Sequence, residues 1–403
     1  MRPVGLMCAR HAIRRIAVVA GIVAVMAGMA VVPGAARPAA SASTPTTCTA
    51  DEQAAALAAL HTFEQSMPAR RRRFFRKHKS KAARRRFLHS QQAKLKKLKA
   101  AAACTLVPPG ASILATVPVP NDGPLALGPG SVWVVDRANA SYADAQLYRI
   151  NPQSGAVTDK IPHVLGAGAA VMDGSVWVSS FATERLLRVD PTTDTVTPYP
   201  TGPTVDEGPE AVLPVAGQLW VTNHHGGTIA IVNPQDGTIS GSIPVAPVGP
   251  DGALNLATDG SNVWVGLAGA NALIRISIAT HTITGNIPAY PPCGGLAADS
   301  TAVWSTSGGC GSGAVTRINP ATNQVSATFN TPGQADDVTI AFGSVWVVTS
   351  NPNELVRIDP ATNQITGRLA LPGYAWGPNG IAADTTSLWI RVSGSLLHVV
   401  PQP

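Results

Sequence analysis

The chain has 403 residues, which is enough for two or three domains at the usual size of about 100–200 residues each. Charged residues make up 13% of it, about half the share of an ordinary soluble protein, whereas glycine supplies 38 residues and proline 34. The hydrophobic content of 45% is too high for wholesale disorder, and the glycine content is too low for collagen. The composition therefore favours many turns that join short apolar strands.

The net charge of +7 conceals two parts of opposite sign. Residues 70–99 carry fifteen Lys or Arg and no acid, whereas residues 111–403 carry ten basic and twenty acidic residues. Because most of the chain is acidic, the basic balance describes one short segment and not the whole protein. Nucleic acid is therefore not expected as a partner.

Residues 1–42 have the features of an export signal. Arginines precede the uncharged run Ile16–Val32, and an A-x-A site follows at Ala40–Ala42. This order predicts a mature chain that starts near Ser43 and is located outside the cell or in the cell envelope. The 17-residue apolar run is at the short end for spanning a bilayer, so an uncleaved N-terminal membrane anchor is the alternative.

Residues 43–110 form a basic segment in which good helix formers dominate and apolar residues recur at helical spacing. The pattern predicts two antiparallel helices at 50–76 and 82–103, with a turn near His78. The charge of residues 70–99 favours binding to a polyanion, either an anionic cell-surface polymer or a lipid. A solvated helix face is the alternative interpretation.

Removal of residues 1–42 leaves four cysteines, and an even number in an exported chain suggests two disulfides. Cys48 and Cys104 flank the two helices, so an antiparallel hairpin brings them together. Cys293 and Cys310 lie within one repeat, on loops that are expected to share a face. These are the two predicted pairs.

One tryptophan context recurs seven times between residue 113 and the C-terminus, at spacings of 40 to 44 residues. It reads, for example, GSVWVV, GQLWVT or TSLWIR, and strands such as LYRINP and NQITGRLAL follow it. Four short strands in each period of about 43 residues are typical of a propeller blade. The predicted fold class is all-β: a seven-bladed β-propeller at 111–403 that follows an N-terminal basic helical hairpin. The seven residues are Trp133, Trp177, Trp220, Trp264, Trp304, Trp346 and Trp389.

The two ends of the repeat region complement each other. After Pro401 too few residues remain for the outer strand of the seventh blade, and residues 112–119 have the pattern of that missing strand. An N-terminal strand that completes the last blade would close the ring and remove two open edges.

These repeats contain the patterns P-x-G-I-A, G-x-V-W-V and V-x-R-I-D-P-x-T. Over residues 113–403 they resemble the YVTN/NHL-type propellers and, more loosely, the streptogramin (virginiamycin B) lyases. The resemblance implies the propeller fold, and it implies no particular activity because many such propellers are binding or scaffold proteins. A secreted binding or scaffold propeller is therefore the predicted function.

The lyase resemblance also implies catalytic histidines at P-H-[AG]-I positions in late blades, with a nearby glutamate after the tryptophan strand. The matching places read Ala335–Val338 and Pro378–Ile381, and they hold neither the histidine nor the glutamate. An acid and base pair for elimination is thus missing there, which argues against catalysis. A streptogramin-lyase-like or quinone-dependent enzyme, with its site at the channel mouth, remains the alternative.

Loops that lead into the innermost strands and loops that join the second and third strands should open on one face of the ring. The first set carries acids, and the second set carries a histidine pair. The functional interpretation is a site for a cationic ligand, or for a divalent cation as cofactor, at the channel mouth. The alternative is solvated turn residues. His225 lies next to His224 on an extended segment, so at most one of the two should join a given site. The candidate ligand residues are Glu207, Glu210, Asp251, Asp336, Asp337, Asn379 and His224.

Overall fold

The computed structural model describes residues 47–120, 123–137, 143–204, 206–249, 252–375, 377 and 379–402. The predicted export signal at 1–42, the predicted mature start near Ser43 and the candidate residue Asp251 lie outside the described residues. In the described part of the chain, neither helix combines the length and the apolar character that crossing a membrane requires.

The N-terminal part is the predicted helical hairpin. Helix α1 spans Ala50–Lys77 and helix α2 spans Lys81–Ala102. Short parallel strands β1 (Thr47–Cys48) and β2 (Thr105–Leu106) join the two ends at the base of the hairpin. Within the two helices Phe63 is the one fully buried side chain, so the pair has only a thin apolar seam.

Local sequence sets the bounds of both helices. Thr49 caps α1, and Glu52 completes a capping box in which each side chain binds the other residue's backbone N–H. The Ser80 hydroxyl caps α2. Pro68 lies inside α1, and the helix continues through it to Lys77.

Within the described residues, 28 strands build seven four-stranded antiparallel sheets. The first strand, β3 (Ala111–Pro118), belongs to the last sheet, and blades 1 to 6 then follow in chain order. Blade 1 comprises β4 (Leu125–Gly128), β5 (Ser131–Val135), β6 (Gln146–Ile150) and β7 (Val157–Pro162). Blade 2 comprises β8 (Gly168–Met172), β9 (Ser175–Ser180), β10 (Arg185–Asp190) and β11 (Thr195–Tyr199). Blade 3 comprises β12 (Pro209–Val215), β13 (Gln218–Asn223), β14 (Thr228–Val232) and β15 (Ile239–Pro244).

Blade 4 comprises β16 (Ala253–Thr258), β17 (Asn262–Leu267), β18 (Ala272–Ser277) and β19 (Ile283–Pro288). Blade 5 comprises β20 (Leu296–Ala298), β21 (Val303–Thr306), β22 (Ala314–Asn319) and β23 (Gln324–Asn330). Blade 6 comprises β24 (Gln334–Ala341), β25 (Ser344–Ser350), β26 (Glu354–Asp359) and β27 (Gln364–Ala370). Blade 7 comprises β28 (Ile381–Ala383), β29 (Leu388–Val392), β30 (Ser395–Pro401) and β3.

The last blade takes its outer strand from the start of the repeat region. Strand β3 pairs antiparallel with β30, so that Ala111 lies opposite Pro401 and Pro118 lies opposite Ser395. The observed strand begins one residue earlier than the predicted 112–119. Two segments almost 300 residues apart in sequence thus share one sheet.

The core lies between blades. Trp133 packs with Val176 and Val178 of the next blade, and the same arrangement recurs around the ring. At the closure Trp389 of blade 7 packs with Val132 of blade 1. Each indole therefore fills the boundary between its own blade and the following one, which is the role that its periodic spacing predicts.

Both predicted disulfides are present. Cys48 and Cys104 close the base of the hairpin with their Cα atoms 5.8 Å apart. Cys293 and Cys310 join two loops of blade 5 with their Cα atoms 5.7 Å apart.

A buried arginine fastens the hairpin to the propeller. The Arg368 guanidinium, on β27, makes bidentate contacts with Glu354 of the same blade, at 2.8 and 2.9 Å. It makes a second bidentate pair with Glu52 of α1, at 2.6 and 2.8 Å. The capping glutamate of α1 is thus also the hairpin's link to blade 6.

We expect ring closure to depend on β3. A chain that begins at Pro120 should unfold at a lower temperature and aggregate. Without β3 the edge of β30 is unpaired, and the apolar core between blades 7 and 1 is exposed. A chain that begins at Val107 lacks the hairpin but keeps β3, and it is the matched control. Thermal unfolding and size-exclusion chromatography measure the difference. Equal melting temperatures for the two truncations would contradict the closure.

The Arg368 network predicts unequal effects of its two acids. Glu354→Gln should lower the free energy of unfolding by about 3 kcal/mol, because it leaves a buried guanidinium with half of its negative partners. Glu52→Gln should have a smaller effect, because the Glu52 side chain is 44% exposed. Denaturant unfolding of the two isosteric variants measures this order. Equal losses would contradict it.

Candidate ligand site at the channel mouth

The mouth face is the side of the ring at which the innermost strand of each blade begins. Three of these strands, β12, β16 and β24, start with a register shift against their neighbours. The residues at the three shifts include Glu210, Asn255 and Asp336, which are polar groups in otherwise apolar strands. β-Bulges redirect side chains and are common beside functional sites. The mouth face of blades 3, 4 and 6 is therefore where a ligand site is most strongly indicated.

Glu210 lies on the bulge of blade 3, near three basic side chains. Burial raises the pKa of its carboxyl, whereas Arg137, His224 and His225 oppose this effect electrostatically. The Nδ1 atom of His224 is buried and has no hydrogen-bond partner among the described residues. Phe181 packs against both imidazoles, with ring centroids 6.3 and 4.9 Å away. This group combines a buried acid with a histidine that has one buried ring nitrogen without a hydrogen-bond partner.

Asp336 lies on the bulge of blade 6 and is buried. Its Oδ2 atom has no hydrogen-bond partner among the described residues. Burial raises the pKa of Asp336 to about 6, and the Ser350 hydroxyl opposes the shift. The carboxyl of Asp336 thus changes between its neutral and charged forms at mildly acidic pH.

The neighbouring Asp337 is fully engaged with backbone. Its Oδ1 accepts from Val338 N at 2.8 Å, and its Oδ2 accepts from Gly380 N at 2.7 Å and from Ile381 N at 3.1 Å. These bonds favour the ionised carboxylate, but burial outweighs them and the charge of Asp336 adds to it, so that the pKa of Asp337 is raised to about 7. Asp337 joins blade 6 to blade 7.

Other candidates have structural partners. The buried Glu207 carboxylate accepts from the backbone and hydroxyl of Thr204, at 3.1 and 2.6 Å. His225 is 2.7 Å from the exposed Asp206. Asn379 adopts a left-handed conformation (φ 65°), and its carbonyl accepts from Leu125 N of blade 1. These contacts shape the loops.

The structure thus places the candidates in two groups. Glu210 and His224 lie together at blade 3, and Asp336 and Asp337 lie together at blade 6, on the far side of a seven-bladed ring. Among the described residues no group of three or more His, Cys, Asp or Glu side chains could hold a metal ion.

Near the mouth face, every boundary between blades is bridged by a hydrogen bond, and side chains supply five of the seven bonds. Sequence reasoning had selected only Asp337 among these side chains. For Ser179, Thr222 and Arg391 the available signal was a polar residue two positions after the repeat tryptophan. The bonds join Asp136 O to Gly166 N, Ser179 Oγ to Glu210 O, Thr222 Oγ1 to Leu254 O, Asn255 Nδ2 to Gly294 O, Asp336 O to Gly295 N, Asp337 Oδ2 to Gly380 N, and Arg391 Nε to Gly123 O.

The fold defines a seven-bladed β-propeller. Solved structures with this fold include virginiamycin B lyase from Staphylococcus aureus, with a TM-score of 0.58, 17% identity, and coverage of 72% of this chain and 99% of that one. A catalytically inactive variant of that lyase with quinupristin gives a TM-score of 0.56 at 18% identity, covering 72% and 98%. A streptogramin B lyase gives 0.56 at 18%, covering 72% and 97%. At such identities the likeness establishes the fold alone.

No protein family matches the sequence, and no curated protein does. The loose resemblance to streptogramin lyase propellers is confirmed in the fold, and the YVTN/NHL classification stays a prediction.

The raised pKa values of the two acids of blade 6 should each make the stability fall as the pH rises. An acid whose pKa is raised by folding contributes stability that is fully present below its unfolded pKa near 4 and is lost as the pH rises through the folded value. Asp336→Asn should therefore raise the free energy of unfolding at pH 8 by about 3 kcal/mol and leave it unchanged at pH 4.

Asp337→Asn is the matched comparison. An asparagine has one acceptor oxygen where the carboxyl uses two, so at pH 4, where Asp337 is largely neutral in the folded chain, this variant should lose about 1–3 kcal/mol while Asp336→Asn loses nothing. Denaturant unfolding from pH 4 to pH 8 measures both variants. Equal free energies of unfolding for the two variants at pH 4 would contradict the assignment.

Proposed function

We propose that this protein is an exported ligand-binding propeller that its basic hairpin holds at an anionic surface. The observation that carries the proposal is that an all-basic segment is attached rigidly, and not by a loose tail, to an acidic propeller. Export is supported by the order of charged, apolar and small residues in 1–42 and by the two disulfides, which persist in oxidising compartments.

The attachment fixes the hairpin at its base. The disulfide between Cys48 and Cys104 joins the two helix ends, and the Arg368 guanidinium bridges α1 to blade 6. Helix α1 has 28 residues and therefore extends about 42 Å. The tip of the hairpin projects its charges at a distance from the base.

The basic side chains of residues 70–99 are accessible to a partner. All of the basic side chains in 70–99 are exposed except Arg84, which is half-buried. Arg72, Arg73, Arg76 and Lys77 line a cleft of about 390 Å³ on one side of α1. Phosphate groups match such a surface because guanidinium groups bind them through paired hydrogen bonds.

An aromatic cluster lies beneath these charges at the tip. Phe74 stacks on Phe87 with ring centroids 4.3 Å apart, and the Arg84 guanidinium lies 4.9 Å from the Phe75 ring. A positively charged surface with half-buried phenyl rings is typical of segments that bind the interface of an anionic membrane. The same charges would bind an anionic wall polymer.

The acids of the mouth face support the ligand-binding part of the proposal. Asp336 keeps a buried oxygen without a partner, and Glu210 is buried beside His224. A cationic ligand would donate to the unpartnered Asp336 oxygen, and it would also offset the buried negative charge of Glu210. Asp251, which precedes the inner strand of blade 4 by two residues in the sequence, is proposed as a further contributor.

A lyase-like elimination is the second candidate. The observation that favours it is the pKa of about 6 at Asp336, which suits a general base. The expected histidine and glutamate are absent from the corresponding positions, so binding is the stronger proposal. Opening of a streptogramin ring by the purified protein, lost in Asp336→Asn, would support the enzyme instead.

Surface binding should follow the hairpin charge. Replacing Arg70, Arg71, Arg72 and Arg73 by glutamine should weaken binding to phosphatidylglycerol vesicles about 10³-fold, at about 1 kcal/mol for each charge. Glutamine preserves helix propensity. Co-sedimentation with vesicles at several salt concentrations measures the loss.

The same four positions changed to lysine keep the charge and provide the matched control, which should retain most of the binding. Poly(glycerol phosphate) in place of vesicles distinguishes a wall polymer from a lipid. Equal binding to neutral phosphatidylcholine vesicles, or binding that salt does not weaken, would contradict the proposal.

A further inference from the structure

On the face opposite the mouth, arginines bridge four of the seven boundaries between blades. In five blades an arginine lies directly across the sheet from the repeat tryptophan, with its guanidinium carbon 5.3 to 5.7 Å from the indole centroid. The pairs are Trp133 with Arg149, Trp177 with Arg188, Trp264 with Arg275, Trp304 with Arg317, and Trp346 with Arg357.

Four of these guanidinium groups also reach the next blade. Each donates from Nη1 to an oxygen of the segment that follows the third strand of the following blade, at 2.8 to 3.3 Å. A planar cation thus occupies the gap between two blades, stacked on one and hydrogen-bonded to the other. The contacts are Arg188 with Gln235 O, Arg275 with Asn323 Oδ1, Arg317 with Asn363 Oδ1, and Arg357 with Gln402 O.

Blade 7 departs from this arrangement. His398 lies opposite Trp389 in the sheet, and its imidazole stacks on the indole with centroids 4.2 Å apart and planes 11° apart. Its Nε2 is 2.7 Å from Ser387 Oγ. In blades 1, 2 and 6 the arginine Nε makes the same contact with a serine, so the imidazole replaces only the inner part of the guanidinium side chain.

The shorter side chain leaves a space where the other arginines cross to the next blade. A cleft of about 530 Å³ lies between blades 7 and 1, and His398, Trp389 and Asp384 line one side of it. Pro152 and Gln153, on the turn of blade 1, line the other side. These two residues correspond to Pro234 and Gln235, whose backbone oxygen receives Arg188 two blades further along.

Blade 3 also lacks the arginine, but another side chain fills its boundary with blade 4. Ile231 stands opposite Trp220 there, but His281 from the turn of blade 4 packs edge-on against that indole, with centroids 5.5 Å apart. That boundary is therefore filled from the other side.

The charge of the cleft favours a cation. Of its lining residues, Asp384 is the one carboxylate, and none is Lys or Arg. Burial raises the pKa of Asp384, but hydrogen bonds from Trp389 Nε1, Thr386 and Ser387 outweigh this and hold the pKa below its usual range. The cleft thus combines a fixed negative charge, an imidazole face and the backbone of an exposed turn.

We propose that the cleft between blades 7 and 1 binds a guanidinium or amidinium group of a ligand, in the space that the chain's own arginines fill at other boundaries. The group would donate to the oxygens of the turn at Pro152 and Gln153 and face the Asp384 carboxylate. The site lies opposite the mouth face and is independent of the proposed function. An arginine side chain of a peptide and a small amidine share this chemistry.

Benzamidine is the probe, and the uncharged, equally planar benzamide is its matched control. Isothermal titration calorimetry on the full chain should detect one benzamidine per chain and no benzamide. His398→Arg restores the arginine of the repeat, and it should fill the cleft, raise the melting temperature and weaken benzamidine binding about tenfold or more. Arg275→His should open an equivalent gap between blades 4 and 5, where Asp259 accepts from Trp264 as Asp384 accepts from Trp389, and it should raise the stoichiometry to two.

The proposal is overturned if benzamidine does not bind the wild-type chain, if benzamide binds equally well, or if His398→Arg binds as the wild type does. A stoichiometry of one in a folded Arg275→His variant would show that losing the arginine beside an acid does not create a site, and it would also overturn the proposal. A N-α-acetylarginine amide titration then tells whether a peptide side chain fits the cleft as the small amidine does.

Discussion

The pairing of β3 with β30 is the constraint on which the rest of this molecule depends. A ring of blades has no stable partner for its first and last edges until one strand crosses the gap, and here that strand comes from the N-terminal side of the repeats. Because the hairpin immediately precedes β3, closure also determines where the basic helices attach. Arg368 on β27 of the adjacent blade 6 then fastens them through Glu52.

The closure also has a chemical consequence on the opposite face. Boundaries within the ring are repeated units, in which an indole from one blade packs on the next and an arginine bridges the remaining gap. The 7–1 boundary joins the two ends of the chain, and there His398 replaces the arginine. The ring is closed by backbone pairing within blade 7, but the 7–1 boundary lacks the bridging arginine on this face, and a cleft lined by His398 and Asp384 lies there.

The mouth face uses polar side chains in a different way. Bonds from Ser179, Thr222 and Asn255 join neighbouring blades near the channel, where apolar packing between tapering sheets is thinnest. Asp337 does the same between blades 6 and 7. Several buried polar atoms lack a hydrogen-bond partner among the described residues, including Asn255 Oδ1, Ser350 Oγ, His224 Nδ1 and Asp336 Oδ2. Of these four, Asp336 is the acid, and its carboxyl is the group that a cation would match best.

The sequence by itself determined the hairpin, the seven blades, the strand order and both disulfides, because helical periodicity, a tryptophan every 40 to 44 residues and cysteine placement are local signals. It also selected Glu210, Asp336 and Asp337, since acids before apolar strands are visible in one dimension. It could not separate them: which acid is bonded to backbone and which keeps a free oxygen depends on bulges and on residues more than 40 positions away. The cleft beside His398 was likewise decided by tertiary structure alone, because the lack of an arginine matters only where two distant blades meet.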